Sequence, residues 1–475
     1  MRWVCVIGLS VTSVAAPATG ADAAASHAPP DAAAVARVQH EIKAARSSIF
    51  AVYGSDETSV KQHMAEGVKF YAAEGPQKIV ERMLRAFAIR DGFAIAVGGM
   101  SDVAAHGNMF EESYPAVCEA ALKPVFDAAA VPLTVRNMAM GGVPSYPNSV
   151  CMEDNLGADA DVVVWDFRMV EIPSYEAGKK YGELYVRQAM MMPRAPAVMF
   201  KRDNVYLKDV PYAWEDGGVH VIDETKALNM FKKLKSPGLA NEKFCEGQCT
   251  CPGQVKWHAG WKTQRFRGHH MALAYLDMFE EAMGQYLALL TDNGAPGPED
   301  HRWDIVRRRT LEAPSVKLDA SHALFASRSF RCAMTWTPRT GIDVVDLVDG
   351  PMNGWKHTHP SPRVAQGEAQ GKQCHYRDSK RCVVGDAASH WIFFKIPNVK
   401  ADGLLGFCGD FQSTEFGEYA LIMVNQEEVM DKLTLWLEAK TLGIAAACFS
   451  VSHNVQPGDN VVGFRVTSGD LKLTL

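Results

Sequence analysis

Between residues 93 and 200 the chain repeats one pattern: a short apolar run, a polar turn, then apolar residues at helical spacing. The runs at 93–97, 133–137, 161–167 and 195–200 have strand length, and the segments 114–128 and 175–191 read as helices. Strands alternating with helices predict a parallel sheet covered on both faces, because each parallel return needs a crossover. A last helix is predicted over 264–291, with Leu273, Leu276, Phe279, Met283 and Leu290 on one stripe. Ahead of the first strand, residues 59–89 carry Val60, Met64, Val68, Phe70, Ile79, Met83 and Phe87 at helical spacing. The segment 202–257 is irregular and cysteine-containing, and it reads as an insertion over the strand ends.

The pattern changes after Gly294-Ala-Pro-Gly-Pro298. Short strands then follow one another with turn signals and no intervening helix, at 390–396, 419–424, 447–451 and 461–466. That spacing predicts a β-sandwich. The expected architecture is thus an α/β domain over 27–295, three-layered and flavodoxin-like, followed by a mainly-β sandwich domain over 300–475. Trp391 and Trp436 stand in apolar runs and are expected to fill the sandwich core.

With 47% hydrophobic and 22% charged residues, the chain buries large cores, which excludes disorder as its main state. A net charge of −6 leaves no global basic footprint for nucleic acid. No apolar run long enough to span a bilayer follows the N-terminus. Arg2, the apolar run 3–16 and the small-residue stretch 17–26 read as a secretory signal peptide. Its removal takes Cys5 and leaves ten of the eleven cysteines, irregularly spaced, with Cys245, Cys249 and Cys251 in one loop. No Cys-x-x-Cys pair faces another, so disulfides fit better than zinc, and the expected location is secreted or the endomembrane lumen. His357-Thr-His359 lacks a nearby carboxylate or cysteine partner and reads as a solvated loop, not a metal pair.

The chemistry gathers where the predicted parallel strands end, the side on which open α/β sheets bind ligands. Gly98-Gly-Met-Ser101-Asp follows the first strand and places a serine on a glycine-flanked turn, a suitable seat for an acyl-transfer nucleophile. Asn137-Met-Ala-Met-Gly-Gly142 follows the second, and a glycine there lets a backbone N–H approach a developing oxyanion. His258, in the loop before the last helix, is placed to reach back over the strand ends as a general base. His269 and His270 fall inside the helical pattern and are expected to pack or face solvent.

In this order the three segments resemble the SGNH, or GDSL-type, hydrolase superfamily over roughly residues 90–292. The Trp-Asp-Phe-Arg-Met stretch and the β-rich C-terminal part further resemble a large eukaryotic branch of secreted-type members. The resemblance implies an acyl-serine esterase with Ser101 as nucleophile, His258 as base, and the N–H groups of Ser101 and Gly142 as the oxyanion hole. It implies no metal and no organic cofactor, and a small-molecule or polysaccharide ester, O-acetyl glycans foremost, as substrate. Two positions depart from the pattern. Val170 stands where the family has an oxyanion-donating Asn, and Val255 where it has the acid preceding the histidine. Asp166 and Glu171, at the end of the third strand, are the candidates for that acid. The departures keep two alternatives open: a degenerate fold that binds carbohydrate or protein, and an acyltransferase using the same residues.

Overall fold

The computed structural model describes residues 29–54, 76–139, 145–167, 175–201, 225–233, 258–293, 344–358, 382–399, 406–411, 420–429, 433–439, 445–450, 455–467 and 470–474, the short pieces 3–5, 10–11, 68–69, 220–222 and 330–331, and positions 58, 60, 62 and 64. The first unit contains strands β1 (Val68–Lys69), β2 (Phe93–Gly99), β3 (Leu133–Asn137), β4 (Val162–Asp166), β5 (Ala197–Lys201) and β6 (His220–Ile222). Its helices are α1 (Ala32–Ala51), α2 (Gln77–Ile89), α3 (Tyr114–Ala128), α4 (Ser145–Val150), α5 (Met152–Leu156), α6 (Tyr175–Met191), α7 (Thr225–Lys233) and α8 (Trp261–Asn293).

The strands form one sheet in the order β1-β6-β5-β4-β2-β3. All neighbours run parallel except β1, which pairs antiparallel with β6. The five parallel strands therefore follow the doubly wound, flavodoxin-like order, with winding reversed between β2 and β4. Alternation along each strand feeds two cores. Phe93, Ile95 and Val97 of β2, with Val162 and Val164 of β4, face a layer that holds Phe87, Phe126, Tyr275, Phe279 and Tyr286. Ala96, Val163 and Trp165 face the opposite layer with Phe167, Tyr185 and Phe200. Burial on both faces explains why these strands read as continuous apolar runs.

Two expectations change. Within 59–89 the structure has helical residues at 60, 62 and 64, a strand at Val68–Lys69, and a further helix from Gln77 with Pro76 in the N-cap position, so the segment is not one helix. A helix running through Pro76 would lose a backbone hydrogen bond and clash with the preceding turn, so the helical spacing across it does not propagate. Within 202–257, β6 and α7 are regular elements, and β6 extends the parallel sheet. A strand of three residues is too short to show a period.

Helix α8 closes one face, packing on α1, α2 and α3. Its approach to α3 depends on Gly268. A Cβ there would lie 2.6 Å from Val117 Cβ and 2.7 Å from the Tyr114 carbonyl oxygen. His269, hydrogen-bonded to the Tyr53 hydroxyl at 2.9 Å, and His270, 2.8 Å from the Met64 carbonyl, both pack within this layer. Burial and Arg265 lower the His269 pKa to about 4, which keeps it neutral near pH 7.

The C-terminal region holds β7 (Lys356–Thr358), β8 (Cys382–Asp386), β9 (Ile392–Val399), β10 (Gly406–Phe411), β11 (Ala420–Val424), β12 (Glu427–Glu428), β13 (Leu433–Ala439), β14 (Ala445–Ser450), β15 (Gly458–Val466) and β16 (Asp470–Thr474). They make a four-stranded sheet, β9-β15-β11-β12, and a second sheet ordered β7-β8-β16, then Trp3–Cys5, then β10-β14-β13. Pairing is antiparallel except where Trp3–Cys5 runs parallel to β16. This short strand, within the segment read above as a signal peptide, lies between β16 and β10. The core of the region joins Trp355 and Val383 to Ile392, Phe394, Ile422, Val462 and Phe464. Trp391 is not in that core. It is half-buried on the alternate face of β9, stacked on Phe393 with ring centroids 6.1 Å apart. Ile392, Phe394 and Ile396 take the inward positions, and the two-residue period sends Trp391 outward. The side chain of Trp436 lies outside the described ones, as does residue 359, while His357 is an exposed strand residue.

Two glycines of α8 are expected to respond oppositely to alanine. Gly268→Ala should destabilise the protein by about 1–3 kcal/mol through overpacking against α3. Gly284→Ala, where nothing lies within 4 Å of the added carbon, should stabilise by up to about 1 kcal/mol from helix propensity. Urea unfolding followed by circular dichroism measures both.

Candidate active site

Strand β2 ends at Gly99, between β3 and β4, where the winding reverses and the sheet leaves a crevice. The chain then turns back on itself. A Cβ on Gly99 would lie 2.5 Å from Val103 Cγ2, 2.8 Å from Val103 Cβ and 3.1 Å from the Asp166 carbonyl oxygen, so only glycine permits this turn. The amides of Val103 and Ala104 donate to the Met100 carbonyl at 3.0 and 2.9 Å. Ala105 donates to Asp102 O at 3.2 Å and His106 to Ser101 O at 2.9 Å. Those last two bonds close a single helical turn in the Schellman pattern, which requires a left-handed residue at its end. Ala105 fills that position with φ 56°, where a side chain is disfavoured by about 1–2 kcal/mol. Ser101 is thus fixed at the tip of a turn that is tight on both sides.

His258 comes from the loop before α8 and places Nε2 3.0 Å from Ser101 Oγ. The pair is buried, with Ser101 9% and His258 3% exposed. Burial pushes the His258 pKa below the usual imidazole value, and the negative charge of Asp102 acts in the opposite sense. The net direction keeps the ring neutral near pH 7, the form that accepts a proton. His106 packs edge-on against the His258 ring, with centroids 4.9 Å apart.

The loop is held by hydrogen bonds to both ends of Ala259. Its N–H donates to Asp102 Oδ1 at 3.4 Å, and its carbonyl accepts from Asn108 Nδ2 at 2.9 Å. Arg267, two turns into α8, donates to Asp102 Oδ2 in a buried ion pair. Gln264, three residues earlier on the same helix face, donates to the Asp102 carbonyl at 2.6 Å and accepts from the Tyr114 N–H at 3.2 Å. The start of α8 is thereby fastened to the serine turn and to the first residue of α3.

Of the residues expected from sequence, Ser101 and His258 are brought together. Asp166 ends β4, opposite Gly99 in the parallel register, and accepts a hydrogen bond from the Tyr114 hydroxyl at 3.3 Å. Gly142, Val170, Glu171 and Val255 lie outside the described residues. Asp102, His106, Gln264 and Arg267 were not singled out by motif. Their signal is a polar set on a core-facing stripe: Gln264, Arg267 and His270 follow one another at helical spacing among Phe266, Met271 and Tyr275. Among the described residues no cluster of three or more His, Cys, Asp or Glu side chains forms a metal site.

No family model matches the chain, and no curated protein matches it. It is similar to two crystal structures of a two-domain esterase (CEX) active on acetylated mannans, one of them co-crystallized with mannopentaose. Identities are 12% and 13%, TM-scores 0.39 and 0.37, with 85% of this chain covered in both and 93% and 94% of theirs. At these scores the likeness assigns no residue a role.

Opposite effects are expected from two substitutions in the serine turn. Gly99→Ala should displace Val103 and Ser101, destabilising by about 1–3 kcal/mol. Ala105→Gly should relieve the left-handed residue and stabilise by about 1 kcal/mol, less the added freedom of the unfolded chain. Thermal unfolding of the two purified variants checks this.

Proposed function

We propose that the chain is a serine esterase of the SGNH type that hydrolyses carboxylic esters through an acyl-serine intermediate. The observation that carries the proposal is the buried 3.0 Å contact between His258 Nε2 and Ser101 Oγ at the switch point of the sheet. Ser101 Oγ attacks the ester carbonyl carbon while His258 Nε2 takes the hydroxyl proton. The carbonyl oxygen becomes an oxyanion, assigned to the N–H groups of Ser101 and Gly142. As the tetrahedral intermediate collapses, the ester C–O bond breaks and His258 returns the proton to the departing alcohol. Water then attacks the acyl-serine, giving one proton to His258, which passes it to Ser101 Oγ as the C–O bond to the serine breaks and the acid leaves. Neither a metal nor an organic cofactor enters these steps.

O-acetyl groups on a polysaccharide are the substrate class that follows from the family resemblance. Export to an oxidising compartment accords with the N-terminal segment 1–26 and with a disulfide at Cys151. Among the described residues no helix is long and apolar enough to cross a membrane. The second reading is a degenerate fold that binds carbohydrate or protein without turnover. Val170 and Val255 favour it, since losing one oxyanion donor typically costs about 10²–10³ in turnover.

A fluorophosphonate probe tests the proposal directly. Wild-type protein should be labelled, Ser101→Ala should not, and His258→Ala should label about a hundredfold more slowly. Because burial lowers the His258 pKa, the base stays unprotonated as pH falls past the ordinary imidazole value near 6.5. The acid limb of the labelling rate should therefore lie below that value. Absence of labelling on folded protein sinks the hydrolase reading and leaves the binding one. Acetate release from acetylated glycans then identifies the substrate.

A further inference from the structure

We propose that Asp102, the residue immediately after Ser101, is the positioning residue for His258, standing in for the acid that Val255 does not provide. The inference rests on the reading of Ser101 and His258 as nucleophile and base. Three observations carry it. Asp102 Oδ1 accepts the N–H of Ala259, so the carboxylate grips the backbone one residue from the imidazole and fixes where His258 stands. The carboxylate is buried, its side chain 7% exposed, where a charge acts on its neighbours with little screening. Its other oxygen is paired with Arg267, whose side chain is 10% exposed. An ion pair set into this crevice gives the carboxylate a fixed direction.

Groups of the serine turn and of α8 face His258 or its neighbours. Ser101 and His106 come from the turn after β2, and Asp102 acts from the same turn, with Arg267 of α8 on its far side. Asp166, on the neighbouring strand, receives the Tyr114 hydroxyl. When Ser101 Oγ bonds to the ester carbon, its proton passes to His258 Nε2 and the ring becomes cationic. The charge of Asp102 opposes the desolvation of the imidazolium, and Arg267 offsets part of that support. A family acid three residues before the histidine acts from the histidine's own loop. Here the same sign of charge arrives from the nucleophile's turn, so one short segment carries both the nucleophile and the group that orients its base.

The test uses Asp102→Asn, which is nearly isosteric and still accepts the Ala259 N–H, and the double variant Asp102→Asn with Arg267→Gln. The double variant leaves no unpaired buried cation and guards against failure of the single one to fold. Fluorophosphonate labelling across pH should slow about a hundredfold in both. The acid limb should move to lower pH in both, further in the single variant, where Arg267 remains charged. Labelling within threefold of wild type, or a slower rate with an unmoved limb, overturns the proposal. Titration of His258 by NMR on ¹⁵N-histidine protein separates the two layers of the argument. If wild-type protein is never labelled but the His258 pKa falls in both variants, the hydrolase reading fails and the role of Asp102 stands. If the His258 pKa is the same in all three proteins, Asp102 has no such role, whatever the enzyme does.

Discussion

A carboxylate taken out of water must be paired, or it is held only at the expense of several kcal/mol. Asp102 sits at the carboxyl end of β2 among buried neighbours, and Arg267 supplies its counter-charge from 165 residues further along. That pairing requires the start of α8 to lie against the β2 turn and the first turn of α3. Gly268 is what allows the approach, since any side chain there meets Val117 and the Tyr114 backbone. Gln264 then joins the Asp102 carbonyl to the Tyr114 N–H. The 3.0 Å contact of His258 with Ser101 is the last consequence of this docking.

The rest of the sheet supports the same crevice from below. Asp161, at the start of β4, accepts the Ala94 N–H at 2.9 Å and pairs with Arg194 at 3.2 Å and Arg82 at 3.6 Å. Arg82 in turn donates to the carbonyls of Arg194 and Ala195. The amino ends of β2, β4 and β5 are thereby tied together by charge, which leaves their carboxyl ends aligned. Gly98 and Gly99 carry no side chain into the space so formed, and Tyr185 and Phe167 lie 3.2 and 3.3 Å from where a Cβ at Gly98 would be. Position and chemistry at Ser101 are therefore set at both ends of the strands.

Much of this was legible in the sequence, for identifiable reasons. Strands buried on both faces are apolar throughout, so β2, β4 and β5 stood out as runs, and the alternation of strands with α3 and α6 gave the layered sheet. Ser101 and His258 could be singled out because each adjoins a readable element boundary, and the structure brings the two side chains together. β6 was missed because three residues carry no period. Trp391 was misplaced because an apolar run hides which face a given residue takes, and only the pairing of β9 with β15 decides it. Asp102 was read as part of a turn motif. Its role depends on Arg267 and Ala259, and a contact across 165 residues has no local signature. The polar residues on the buried stripe of α8 were the available clue, and they are informative only once the stripe is known to face the crevice. Gly142 and Glu171 fall outside the described residues, so the sequence alone speaks for them.

The separation along the chain between Ser101 and the segment that completes it has a consequence for synthesis. A nascent chain that has emerged through β5 already owns its serine turn, its glycines and most of its sheet. It does not yet own His258, Ala259, Gln264 or Arg267. During that interval Asp102 has no cation and Ser101 lacks its contact with His258. The arrangement of the site therefore arrives late in translation, when α8 leaves the ribosome and docks.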